Sequence, residues 1–266
     1  MNPAAPVCGA EQNPNLVSFE QQYRRRLRMP LRLNFELQTK LAMFRRLARR
    51  IPTLPPGARV LDLGFGHGFM LFWFPPHCEL GGVDLTPTAV ERIARAAARR
   101  GYLRSRFECL NLDREPLPWD AASVDVLICS HVIEHVADDG HLLAEIRRVL
   151  KPGGHLLLMI PINETDANAN SLHLRRYTEE SMRTKLAAFG FRVLAEDRAD
   201  TLYQILEWIG RPRLPRPLEV LRGKCVAALG AFSILLPPLW SLRCWGLPRD
   251  YGLLAIHDSP RQEKTS

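Results

Sequence analysis

The sequence predicts a doubly wound α/β fold: a seven-stranded Rossmann-like sheet, with an N-terminal helical extension and an apolar helical insert before the last strand. Three observations predict it. The first is VLDLGFGHGF, Val60 to Phe69, where an apolar run ends at Asp62 and Gly64, Gly66 and Gly68 follow at alternate positions. The second is Asp84 in LGGVDL, 22 residues beyond Asp62 and at the end of the next apolar run. That is a suitable distance for a carboxylate at the tip of the second strand of a βαβ unit. The third is the alternation further along of apolar, strand-length runs with segments of helical period, as a parallel sheet covered on both faces requires.

The elements follow in order. A helical pattern, Leu33, Leu37, Leu41, Phe44, Ala48 and Ile51, opens the chain ahead of TLPPG. Residues 24–50 hold nine Arg and Lys40 against the single acid Glu36. The first strand ends in the glycine turn, where backbone can lie close to a ligand. After Asp84, Thr86 and Pro87 read as N-cap and first position of a helix. SRFECLNLD places a strand before Asn111, Leu112 and Asp113. SVDVLICS, ending at Ser130, has the character of a central parallel strand and runs into HVIEHV. A helix from about Asp138 to Leu150 presents Leu142, Leu143, Ile146 and Val149 on one face. KPGG ends it, HLLLMIPI is the next strand, and YGLLAIH is a late one.

The glycine spacing separates two ligand classes. A dinucleotide loop, G-x-G-x-x-G, would place its third glycine at position 69, which is Phe69. Instead an acid precedes three alternating glycines. With this motif, EHV after the fourth strand and LKPGG before the fifth, residues 55–197 resemble the class I S-adenosylmethionine-dependent methyltransferases, in particular their quinone-biosynthesis and small-molecule branch. The resemblance implies S-adenosylmethionine as cofactor, held by Asp62, Gly64, Phe65, Gly66, Gly68, Asp84, Leu85, Asn111, Leu112 and Ser130. Asp84 would grip the ribose, and Asn111, with Asp113 in reserve, would read the adenine. Phe65 would either wall the methionine portion or turn into the core. His67 would meet the ligand carboxylate or face solvent, and Trp119 would lie near adenine or pack. The implied activity is methyl transfer to oxygen or carbon of a small, lipophilic acceptor. The alternative is a catalytically silent module of the same fold at a membrane or in a complex.

Displacement at an activated methyl needs alignment, and a base only where the acceptor must lose a proton. His131, His135 and His173 are the candidates, because histidine titrates near neutrality. His173 follows ETDANAN, a polar loop suited to a lid. Some relatives hold a divalent ion on an E-x-x-E-H element. Here the matching set is His131, Glu134 and His135, with His173 downstream, and histidine replaces the first acid. That substitution leaves the expectation at no metal. DNA-base methylation is disfavoured, since SHVIEHV stands where such enzymes carry (D/N)PP(Y/F/W).

Composition sets the frame. With 266 residues and 46% hydrophobic side chains the chain suffices for one such domain with extensions, assigned as 1–54 and 55–266 with the insert at about 211–246. A formal charge of +8 permits an anionic membrane surface or nucleic acid without selecting either, and nucleic acid is disfavoured. The six cysteines show no metal-ligand spacing, and Cys109 and Cys129 read as packed thiols. With no signal peptide evident, the expected location is cytoplasmic, with peripheral membrane contact left open. Residues 225–242, CVAALGAFSILLPPLWSL, run 18 positions without charge but are broken by Pro237 and Pro238. A spanning helix is therefore disfavoured. A hairpin over the cleft, or a membrane-surface contact using Trp240 and Trp245, both fit. No oligomeric state is implied.

Overall fold

A computed structural model describes residues 16–17, 20–21, 35–162, 172–199 and 250–258. Seven strands form one sheet: β1 Arg59–Leu63, β2 Glu79–Asp84, β3 Ser105–Cys109, β4 Val124–Ser130, β5 Leu150–Pro161, β6 Phe191–Ala199 and β7 Asp250–His257. Their order is β3-β2-β1-β4-β5-β7-β6. β1 to β5 are parallel, and β7 enters antiparallel between β5 and β6. The order reverses between β1 and β4, and ligands of open α/β sheets bind beyond the carboxyl ends of the strands at such a point.

Both faces of the sheet are buried, which is why its strands read as apolar runs. Leu61, Leu63, Leu127, Cys129, Leu156 and Leu158 point to one core, and Val60, Val126, Ile128, Leu157 and Met159 to the other. Adjacent residues thus alternate between faces, as the strand period of two requires. Helices α3, Asp139–Val149, and α4, Glu179–Ala188, contribute Leu142, Leu143, Ile146, Met182 and Leu186 to the first core. Helices α1, Phe35–Ala48, and α2, Pro87–Arg99, contribute Met43, Phe44, Leu47, Ile93 and Ala97 to the second.

α1 confirms the helical pattern but widens its face. Leu41, Phe44 and Ala48 are buried as expected, and so are Met43 and Leu47. Their seat is β7, where a Cβ on Gly252 would stand 2.8 Å from Leu47 Cδ1 and 3.1 Å from Met43 Sδ. Arg46 pairs with Asp197 of β6. α1 is therefore part of the second core. Leu33, the loop ETDANAN and residues 211–246, with Trp240 and Trp245, lie outside the described residues.

Thr86 is the N-cap of α2 with Pro87 behind it, but its side chain makes no capping bond. Its hydroxyl donates to Asp84 instead. Cys78 and Cys129 are buried and free. Cys109 is disulfide-bonded, so the packed-thiol reading fails there.

Candidate active site

At the carboxyl end of β1, Gly64, Gly66 and Gly68 take φ values of +63°, +50° and +69°. L-residues with a Cβ are strained in that region, so the alternation of glycines is a backbone requirement. Gly64 has a second reason: a Cβ there would stand 2.5 Å from Val132 Cγ2. The same holds at Gly68, where a Cβ would run into the side chain of Ile93, so both glycines also let neighbouring side chains pack against the turn.

Asp84 holds this loop. Its Oδ2 accepts from Gly66 N at 2.9 Å, and its Oδ1 accepts from Thr86 N at 3.0 Å and Thr86 Oγ1 at 2.8 Å. One carboxylate thus ties the turn after β1 to the start of α2. Asp62 is also buried, and burial, reinforced by the charge of Asp84, pushes its carboxyl well above the usual range.

The remaining cofactor candidates divide. Asn111 is buried, and its Oδ1 accepts from Asp113 N at 3.1 Å, which closes the turn after β3. Asp113 accepts from Ala137 N and so braces the loop after β4. Leu112 is partly buried against the first core, and Leu85 and Ser130 stand at the tips of β2 and β4. Of the two readings of Phe65, the structure shows the packed one: its ring meets Phe107 edge-on at 5.5 Å. Trp119 is likewise buried, beside Gly81 in the body of β2 and away from the glycine turn. His67 leans on Phe69, with its Nδ1 3.2 Å from Arg92 Nη1.

The three candidate histidines do not form one group. His131 follows β4 with φ +55°, an uncommon conformation for a residue with a Cβ, fixed in part by its N–H donating to Met159 O. Its Nδ1 is 3.3 Å from Glu134 Oε1 and its Nε2 is 3.2 Å from Asp250 Oδ1. Lys40 of α1 stands 3.7 Å from the same Asp250 oxygen. With a carboxylate near each nitrogen, His131 is turned across the end of β5 toward the start of β7, apart from His135 and His173.

His135 and His173 are together. Residues Ile133–His135 form a 3₁₀ turn, and Leu174 N donates to Glu134 O at 2.8 Å, docking the segment around His173 on it. The two rings meet edge-on with centroids 4.8 Å apart. His135 Nδ1 lies 3.0 Å from Leu172 O, a partner that can only accept. The proton therefore sits on Nδ1 and Nε2 carries the lone pair. Burial lowers the His135 pKa, so the neutral, basic form prevails near pH 7.

Glu134 is fully buried, and neither carboxylate oxygen has an aligned hydrogen-bond partner among the described residues. Burial opposes its charge, but the imidazole of His131, 3.3 Å away, outweighs burial and holds its pKa below the usual range. Glu134, His135 and His173 each offer a ligand atom, all within 4.8 Å of one another.

Asp250 and Lys40 were missed from sequence. Each left a faint signal: Asp250 is an acid opening an apolar strand, and Lys40 is the only lysine in an arginine-rich segment.

Comparisons with known proteins agree with this geometry. Residues 61–158 match a methyltransferase domain family. A Mycolicibacterium smegmatis protein named a probable S-adenosylmethionine-dependent methyltransferase is 30% identical over 173 residues, covering 60% of each chain. The ubiquinone biosynthesis O-methyltransferase of a Bradyrhizobium strain is 31% identical over 133 residues, covering 48% of this chain and 49% of its own. The chain thus spans less than two thirds of these curated relatives. Among solved structures, geranyl diphosphate C-methyltransferase from Streptomyces coelicolor superposes with TM-score 0.56 at 16% identity, over 82% of this chain and 77% of its own. The [4+2]-cyclase SpnF superposes at 0.57 with 21% identity, over 84% and 81%. These likenesses show the fold, and the family match covers residues 61–158. That segment is a methyltransferase domain of the class I, S-adenosylmethionine-dependent kind.

Proposed function

We propose that this protein uses S-adenosylmethionine to methylate oxygen or carbon of a small, lipophilic acceptor, in the cytoplasm or at its membrane boundary. The observation that carries the reading is the positive-φ glycine turn tied to Asp84. A glycine turn beside a strand-tip carboxylate fits a ligand with a zwitterionic end and a ribose diol. The cofactor supplies a methyl group already activated by its sulfonium charge. Gly64, Gly66 and Asp84 would fix its position, and Asn111 would face the base. His135 Nε2 would take the proton from the acceptor, while Leu172 O holds the ring in the required tautomer. His173, against the His135 ring, would restrict the approach.

The lipophilic acceptor is supported by the names of two of these proteins, the ubiquinone biosynthesis O-methyltransferase and the geranyl diphosphate C-methyltransferase. No helix among the described residues is long and apolar enough to cross a membrane. The test is calorimetric titration with S-adenosylhomocysteine, followed by labelled methyl transfer to phenols and quinol precursors. Binding of S-adenosylhomocysteine with no turnover on any acceptor class would favour the silent module.

A second reading has its own observation, the unsatisfied Glu134 carboxylate beside His135 and His173. This donor set suits Zn²⁺, Fe²⁺ or Mn²⁺ better than Mg²⁺. Loss of activity in EDTA, restored by one of these ions, would select it; indifference to EDTA would leave His135 as a free base.

A further inference from the structure

α1 and the turn that follows it distribute their arginines unequally. Arg46 pairs with Asp197, while Arg45, Arg49 and Arg50 are exposed and pair with no acid among the described residues. Arg45 and Arg49 instead converge on one indole: their guanidinium carbons are 5.8 Å and 5.6 Å from the centroid of Trp73, which is 37% exposed. Next to Trp73 is Phe72, and Arg100 at the end of α2 lies 4.0 Å over its ring. Arg99 and Arg100 also have no acidic partner among the described residues. Three positions on, Leu103 is 95% exposed.

A guanidinium stacked on an aromatic face keeps its edge N–H groups free for phosphate oxygens and loses little further freedom on binding. Like charges four residues apart on a helix repel, so Arg45 and Arg49 on one ring are a local cost in the isolated chain. An anionic surface removes that cost.

We infer that the surface built from Arg45, Arg49, Trp73, Arg100 and Leu103 docks the protein on anionic phospholipid. Lipid is favoured over nucleic acid by the apolar members. Strand binding uses several exposed aromatic platforms in a groove, whereas here a single exposed indole and a protruding leucine stand among arginines. Indole and leucine enter the headgroup boundary while arginines meet the phosphates. The sequence repeats this composition in residues 211–242, where Arg211, Arg213, Arg216, Arg222 and Lys224 precede the uncharged run. The inference deepens the proposed membrane contact and does not depend on methyl transfer.

The test is flotation of the full chain with phosphatidylcholine vesicles, with and without phosphatidylglycerol. The wild type is expected to float only with the anionic lipid. Arg45→Gln/Arg49→Gln/Arg100→Gln should bind at least about tenfold more weakly. Arg45→Lys/Arg49→Lys should keep most of the binding, and Trp73→Ala should weaken it. All variants should bind S-adenosylhomocysteine like the wild type, which separates failure here from failure of the enzymatic reading. Flotation independent of phosphatidylglycerol would overturn the inference. So would a triple variant that floats like the wild type, or arginine-dependent binding of a single-stranded oligonucleotide in place of vesicles.

Discussion

Gly64→Ala tests the link between the glycine turn and the histidine site. At φ +63° an alanine costs about 1–2 kcal/mol relative to glycine. The new methyl would start 2.5 Å from Val132 Cγ2. Real contacts need nearly an ångström more, so Val132 has to move, at a further cost of about 1 kcal/mol in a packed setting. The sum, about 2–3 kcal/mol, corresponds to a fall of roughly 5–10 °C in Tm for a domain of this size. Val132 lies between His131 and the turn bearing Glu134 and His135, so its displacement reaches the candidate base. The assay pairs thermal unfolding with S-adenosylhomocysteine titration on folded protein at low temperature. The expected result is lower stability together with affinity reduced at least about tenfold. A variant as stable as the wild type, or one that binds the ligand undiminished, would refute the reasoning.

Other substitutions separate the roles. Asp84→Asn keeps only one of the two acceptor oxygens and sets its amide NH2 against a backbone N–H, so it should cost about 1–3 kcal/mol of stability and lower S-adenosylhomocysteine affinity about tenfold or more; thermal unfolding and calorimetry read the two effects. His135→Gln should leave that affinity intact and reduce turnover about 10²–10⁴-fold on an acceptor that must lose a proton. Because burial lowers the His135 pKa, the wild-type rate should rise with pH through a value below 6.5 and be flat at neutrality. A limb centred above 6.5 would assign the base elsewhere. Asp139 accepts from Tyr177 Oη and Lys185 Nζ, each at 2.6 Å. Burial opposes its charge, but these partners outweigh burial and lower its pKa from 3.8. Its stabilisation is therefore present above pH 3.8 and lost as pH falls through the folded value. Asp139→Asn should cost about 1–2 kcal/mol at pH 7 and flatten the acid limb of the stability curve, read by urea unfolding.

The sheet was legible because both its faces are covered. That makes β1, β4 and the second half of β5 mainly apolar runs, and Gly57 and Gly64 flank β1. The turn after β1 was legible for a stricter reason, since three positive φ values leave glycine little competition. The histidine site was only half legible. His135 and His173 are 38 residues apart in sequence, and their meeting depends on Leu174 N reaching Glu134 O. The turn of His131 across the end of β5 depends on Asp250, which arrives on β7 more than a hundred residues later and is inserted antiparallel between β5 and β6. No local spacing encodes such a contact. Phe65 shows the reverse case: its place in a ligand loop suggested a ligand contact, but a large apolar ring beside Phe107 buries itself.

The most direct test of the central claim is titration of the full chain with S-adenosylhomocysteine, with NADH as control and Asp84→Ala as the matched variant. Micromolar binding of S-adenosylhomocysteine, no response to NADH, and loss of the signal in a folded Asp84→Ala protein are the expected results. Binding of NADH in its place, or no binding of S-adenosylhomocysteine by folded wild-type protein, would contradict the assignment of the glycine turn and Asp84 as a cofactor site.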